Sequence, residues 1–204
     1  YVALTPDANK NLVPTSINFG YLDLQDVQHF LASMSQTLPQ SLTAKLNALK
    51  LTGEIQSFAS NIPQGDFDGE HISFNTHFTR VGIEPTKTTP GIANLSGVLN
   101  MQGKQGSLDL QSDKTSVRYD SVFAKPLTFA AMTGKVAFQK QTNDWLLLFN
   151  KVRLANDDVV LNLNGSIDIL EKTKPVMNLS ASFVVPQLKN IKHVKDCGKF
   201  INVS

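Results

Sequence analysis

Apolar and polar residues alternate with a period of two along most of the chain. The clearest runs are 95–101, 132–138 and 159–169, where apolar residues fall on one side and mostly Ser, Thr, Asn and Lys on the other. This alternation is typical of antiparallel strands with one dry face and one wetted face. The runs are separated by polar stretches that predict hairpin loops: Gln102–Gly106, Gln139–Asp144, Asn156–Asp158 and Glu171–Lys174. Such short connections predict a meander, in which sequential strands are neighbours.

One region has helical spacing instead. Between residues 24 and 34 the apolar residues recur at i, i+3 and i+7, and Asp23 is placed to cap the helix N-terminus. Pro39 suits the first turn of a second short helix that carries Leu42, Leu46 and Leu49. We therefore predict a helical hairpin at about 24–49 that packs at one end of the sheet or inside its curve.

A weak repeat runs through the strand region. The pattern apolar, then Thr, Ser or Asn, then Gly, any residue and apolar occurs around Gly53, Gly97, Gly134 and Gly165. Glycine inside a strand usually marks a bend, a bulge or the close approach of another group. Bends at matching positions in successive strands would curl the sheet into a trough.

The predicted fold class is therefore mainly β: a twisted, strongly curved antiparallel sheet with one short helical hairpin. The apolar side of the strands is expected to form its concave face, built from Leu95, Leu99, Met101, Leu108, Leu110, Met132, Val136, Phe138, Leu161, Leu163 and Ile167. One helical hairpin is too small to cover this face. The sheet must either fold onto itself as a sandwich or leave a groove dry enough for lipid chains, and the pattern leaves both open.

Composition narrows the classes of function. The chain has 204 residues, 19 basic and 17 acidic, with no basic stripe, so nucleic acid is not an expected partner. Cys197 is the only cysteine, which excludes a disulfide framework within the chain. No apolar run approaches the roughly 18 residues that a membrane-spanning helix needs.

Candidate catalytic and metal-binding residues do not form a recognisable constellation. The densest cluster, Asp66, Asp68, Glu70 and His71, lacks the glycine that a calcium loop of the EF-hand type needs at its sixth position. No Gly-x-Ser-x-Gly nucleophile motif is present. We expect a protein with no cofactor, no metal and no catalytic residue; a hydrolytic enzyme is the least favoured alternative.

Five segments, in this order and spacing, carry a resemblance to a known family: TPGIANLSGVL at 89–99, GSLDLQS at 106–112, VFAKPL at 122–127, MTGKV at 132–136 and VRLANDD at 152–158. Together with LTGEI at 51–55, they make the chain similar to the YhdP family of AsmA-like proteins. The resemblance runs from about residue 17 to about 195. At 193–200 the chain reads HVKDCGKF, where the family tends to continue with a Tyr-Leu-Pro-like element.

The resemblance implies an internal segment of a long periplasmic protein of Gram-negative bacteria, tethered to the inner membrane by an N-terminal helix. Residues 1–195 would form one β-groove domain, and 196–204 a divergent or disordered tail. The implied function is non-enzymatic: binding phospholipid acyl chains in the groove during transport between the inner and outer membranes. The implied partners are those acyl chains and the adjacent β-groove segments. The alternative is a structural or adhesive β-sandwich module of the envelope that binds a protein partner.

Overall fold

The computed structural model describes residues 1–6, 10, 12–33, 50–63, 70–86, 90–119, 125–142, 144–170 and 175–185. These residues form eleven strands and one helix. The elements are β1 Val2–Pro6, β2 Leu12–Phe19, β3 Leu22–Asp23, α1 Leu24–Ser33, β4 Thr52–Asn61, β5 Ser73–Ile83, β6 Gly91–Gln102, β7 Gln105–Arg118, β8 Leu127–Lys140, β9 Trp145–Ala155, β10 Val160–Ile169 and β11 Val176–Val184.

All described strands belong to one open antiparallel sheet. Its order is β1-β2-β4-β5-β6-β7-β8-β9-β10-β11, and the short β3 also pairs with β4. From β4 onward every strand pairs with the next in the chain, so the predicted meander is confirmed. Three predicted loops, Gln102–Gly106, Gln139–Asp144 and Asn156–Asp158, lie between β6 and β7, β8 and β9, and β9 and β10, and the strands extend a few residues into the first two. The fourth, Glu171–Lys174, lies outside the described residues.

Proline shapes the first edge of the sheet. Pro14 lies in β2 opposite Leu4, beside an irregularity in the β1–β2 register. Proline lacks an N–H group and is tolerated where a strand needs no donor on one side. Only the end of β2, Ser16–Phe19, pairs with β4 on its other side, so Pro14 interrupts no hydrogen bond there.

The first predicted helix is present, and its cap is the predicted one. The Gln25 N–H donates a hydrogen bond to Asp23 Oδ1 at 2.7 Å, which satisfies one of the donors left unpaired at a helix N-terminus. Helix α1 contacts β3 and β4, so it lies near the β1 end of the sheet. The predicted second helix, with Leu42, Leu46 and Leu49, lies outside the described residues.

Each strand from β4 to β10 contains one residue in the left-handed region of backbone conformation. The seven residues, which we call the crease, are Gly53, Arg80, Asn94, Lys114, Gly134, Lys151 and Gly165, with φ between 50° and 130°. Register irregularities accompany the crease in the β4–β5, β5–β6, β6–β7, β8–β9 and β9–β10 pairs. Bulges of this kind bend a strand and increase its twist, and together they curve the sheet.

Three of the four repeat glycines, Gly53, Gly134 and Gly165, belong to the crease. At Gly134, φ is +125° and an added Cβ would lie 2.5 Å from the Val152 Cα. Gly97 differs because its φ is not positive. The absence of a side chain at Gly97 leaves room for the Asp109 carbonyl oxygen, which would lie 2.3 Å from an added Cβ. Repeated bends are thus confirmed at three positions, and Gly97 is a close approach.

Few apolar side chains are fully shielded from solvent in the described part of the chain. The buried apolar residues there are Phe78, Met132, Val152 and Ala155. A closed two-layer domain buries a much larger set, because both inner faces interdigitate. The described strands form one curved layer, and no second sheet is found among them.

Candidate functional site

The strand register brings all eleven predicted face residues to one side of the sheet. In the middle row, Leu99 pairs with Leu108, which pairs with Val136 on the following strand. Directly opposite residues of an antiparallel pair point to the same side of a sheet. The row therefore places three apolar side chains from β6, β7 and β8 next to one another.

Neighbouring rows extend the same side. Met101 and Phe138 lie on either side of Gly106 in one row, and Leu110 pairs with Gly97 and Gly134 in another. The missing side chain of Gly106 makes room for the Phe138 ring: an added Cβ would lie 2.6 Å from its Cζ.

The side continues across β9, β10 and β11. Ile167 pairs with Leu147, which pairs with Phe138, so Ile167 lies on the same side. Leu161 joins it through Leu154, which pairs with Met132. The remaining two predicted residues also have apolar partners: Leu163, two residues after Leu161, pairs with Val152, and Leu95 pairs with Val81. We call the whole side the apolar face.

Solvent exposure on the apolar face is graded. Met132 is buried, with 7% of its surface exposed, and the other ten predicted residues are half-buried. On the last strand, β11, all nine residues are exposed, and Met177 and Phe183 of the apolar face show 62% and 65% of their surfaces. The apolar face is thus partly sheltered in the middle of the sheet and open at the β11 edge.

Aromatic residues beyond the eleven predicted ones extend the apolar face to Phe19 on β2 and to Trp145 on β9. Phe19 stacks on Phe58 with ring centroids 4.9 Å apart, and Phe58 stacks on Phe74 at 5.6 Å. Near the other end, Phe138 and Trp145 are tilted against each other at 6.3 Å. The signal for Phe74 was present in the sequence, since Phe74, Thr76 and Phe78 alternate with polar residues.

The opposite side, which we call the polar face, is built from the alternate residues of the same strands. On it, Lys135 Nζ lies 3.3 Å from Asp109 Oδ2. One row further along the strands, the Asn75 amide donates a hydrogen bond to Asn100 Oδ1. A pocket of about 760 Å³ lies around this second row. A twisted sheet is saddle-shaped, so each face is concave along one diagonal.

The described residues contain no group of three or more His, Cys, Asp or Glu side chains placed to hold a metal ion. Asp66, Asp68 and Cys197 lie outside the described residues. His77 is an exposed residue of the polar face, opposite Val98. Within the part of the chain that the structure covers, no helix is long and apolar enough to span a bilayer.

These features define a class of protein: a mainly β protein with one open, two-faced sheet, on whose apolar side the described residues place no second sheet. The family model described as "YhdP protein" matches residues 2–193, so the chain belongs to the YhdP family. No curated protein and no solved structure matches the chain. Membership suggests an envelope-associated protein with a role related to lipid transport, in a family not known for catalysis.

Proposed function

We propose that the apolar face binds lipid acyl chains and that the chain supports phospholipid transport between the inner and outer membranes. The observation that carries this proposal is the apolar face itself. It spans β4 to β11, and most of its side chains remain partly accessible to solvent. Exposed continuous apolar surface on a protein usually marks a site for a partner, a ligand or a membrane.

Burial argues for a groove over a filled sandwich. In a sandwich core, residues at the centre of the sheet such as Leu99, Leu108 and Val136 would be close to fully buried. They are only half-buried, as are the other predicted face residues except Met132. This partial burial among the described residues supports a surface that a flexible apolar ligand would cover.

The binding is non-directional. Acyl chains gain roughly 0.8 kcal/mol for each CH₂ group removed from water, without a hydrogen bond to any particular residue. Affinity would therefore depend on the apolar area covered, and lipids with different headgroups would bind alike. A row of similar apolar residues also has no single position that binds a lipid much more tightly than its neighbours. This suits the movement of a lipid along the row.

The proposed location and the proposed neighbouring segments rest on membership of the YhdP family. The chain would act in the periplasm, as an internal part of a longer protein that is tethered to the inner membrane. Adjacent β-groove segments would continue the path. The described part supplies the apolar surface, and no residue in it has a catalytic role in the proposal.

Native mass spectrometry followed by lipid extraction tests the proposal. The chain is purified from bacteria in a detergent that is then exchanged, and its mass is recorded before and after incubation with phospholipid vesicles. Bound phospholipid near one or a few molecules per chain supports the groove. A lipid-free mass under both conditions contradicts it.

A second candidate is a structural envelope module that binds a protein partner through a sheet edge. The observation in its favour is β11, an edge strand whose nine residues are all exposed. An open edge presents unpaired N–H and C=O groups to another strand. This candidate predicts stable protein complexes without lipid, which cross-linking of the chain in envelope extracts would detect.

A further inference from the structure

A pocket of about 760 Å³ has most of its lining residues on the polar face, with Phe74, Met101 and Phe138 of the apolar face also contributing. Its walls come from one end of strands β4 to β9. Asn75, Asn100, Ser107 and Ala137 form one row of directly paired residues across four strands, and Leu148 on β9 continues it. These residues alternate with Phe74, Met101 and Phe138, which belong to the apolar face. A volume of about 760 Å³ falls in the range of small-ligand sites.

The lining of this pocket is uncharged and combines amides and hydroxyls with apolar side chains. Of its sixteen described lining residues, none is Asp, Glu, Lys, Arg or His. The polar groups are side-chain amides and hydroxyls, among them Asn61, Gln102, Gln105 and Gln139 around the Asn75–Asn100 row. Each amide carries both a hydrogen-bond donor and an acceptor, so the surface is rich in paired hydrogen-bonding groups.

Two ion pairs lie beside the pocket. Along the strands, Asp109 and Lys135 follow the lining residues on β7 and β8 and form an ion pair. At the hairpin end, Lys104 and Glu70 form another. Within each pair the opposite charges largely cancel, so these two pairs add little net field over the pocket.

From this lining we infer a binding site for a neutral oligosaccharide. Sugar hydroxyls donate and accept hydrogen bonds at once, which matches a surface of amides and hydroxyls without charge. The apolar residues Ala59, Ala137 and Leu148 offer patches for the C–H faces of a sugar ring. A peptide fits less well, because sheets bind extended peptides along an edge through main-chain groups, whereas this pocket lies on a face.

The test uses two neutral probes, chitotetraose and maltotetraose, with the 204-residue chain. Binding is followed by saturation-transfer difference NMR and by calorimetry, at low and at high salt. We expect at least one probe to bind with an affinity that salt does not change, because no charged group takes part. Asn100→Leu should weaken that binding about tenfold, as the loss of a few hydrogen bonds implies.

Asn162→Leu is the matched control, since Asn162 is on the same face but outside the pocket. It should leave binding unchanged, and far-UV circular dichroism checks that both variants fold. The inference is overturned if neither probe binds, if binding falls with salt, if Asn100→Leu folds and binds normally, or if a neutral Gly-Ser peptide occupies the pocket instead. None of these outcomes affects the acyl-chain proposal, which concerns the opposite face.

Discussion

The Ser112 hydroxyl forms hydrogen bonds with both backbone groups of Ser96. These bonds lie where the backbone hydrogen bonds between β6 and β7 are interrupted. The hydroxyl accepts a hydrogen bond from the Ser96 N–H at 2.7 Å and donates one to the Ser96 carbonyl at 2.8 Å. Ser112 is 2% exposed, so these groups have no easy access to water. The contact lies at the crease, where β6 and β7 lose register between Ala93 and Gly97.

Ser112→Ala should therefore lower the free energy of unfolding by about 1–3 kcal/mol, because two partly buried backbone groups lose their partner. Urea unfolding followed by circular dichroism measures this. Ser182→Ala, in the exposed edge strand β11, is the control and should change stability by less than about 0.5 kcal/mol. Equal effects of the two variants would mean that the Ser112 hydroxyl does not support the crease.

Gly134 should not tolerate a side chain. Gly134→Ala places a Cβ 2.5 Å from the Val152 Cα at a φ of +125°, so we expect a loss of about 1–3 kcal/mol in unfolding free energy. The matched change Gly20→Ala meets no atom within 4 Å and has no positive φ, and it should be nearly neutral. Thermal unfolding of both variants separates the two cases. A neutral Gly134→Ala would show that β8 bends elsewhere.

The cap of α1 makes a smaller contribution. Asp23→Ala removes the acceptor for the Gln25 N–H and should cost about 0.5–2 kcal/mol. Asp23→Asn keeps an acceptor oxygen and should retain most of that stability. Denaturant unfolding of the three proteins tests this, and a full loss in Asp23→Asn would assign the effect to charge instead of capping.

Much of the fold follows from local pattern in the sequence. Alternation predicted the strands and which side each face residue takes, and the Asp23 cap followed from residue type and position. The crease was only partly predictable. Glycine revealed it in β4, β8 and β10, but β6 uses Asn94, and Asn tolerates the left-handed conformation.

The rest of the crease depends on contacts between strands. At Lys151 the backbone N–H donates to Asn164 Oδ1 at 2.8 Å, a group thirteen residues away on the next strand. At Arg80 the N–H donates to Ser96 Oγ at 2.9 Å. A lysine or arginine with positive φ has no sequence signature, because the residue that stabilises it is known only once the register is known. The oligosaccharide pocket was missed for the same reason, since its amides come from several separate strands.

Neighbouring residues on opposite faces provide a paired test of the acyl-chain proposal. Leu99→Lys introduces a charge in the centre of the apolar face, whereas Val98→Lys places it on the polar face beside Asp109. We expect the first variant to lose most of its co-purifying phospholipid, because burying a charge against acyl chains is unfavourable, and the second to retain it. Phosphorus content of the extracted lipid is the measurement. Unchanged lipid in folded Leu99→Lys would place the lipid elsewhere.

Trp145 gives the most direct test of whether acyl chains contact the apolar face. It is the only tryptophan of the chain, and it lies on that face near Phe138. The reference protein carries Trp145→Phe together with Leu148→Trp, which moves the fluorophore to the polar face. Both proteins are titrated with phospholipid brominated in its acyl chains, which quenches tryptophan on contact. Strong quenching of Trp145 with little change in the reference is the predicted result; equal quenching, or none in either protein, would contradict acyl-chain binding on the apolar face.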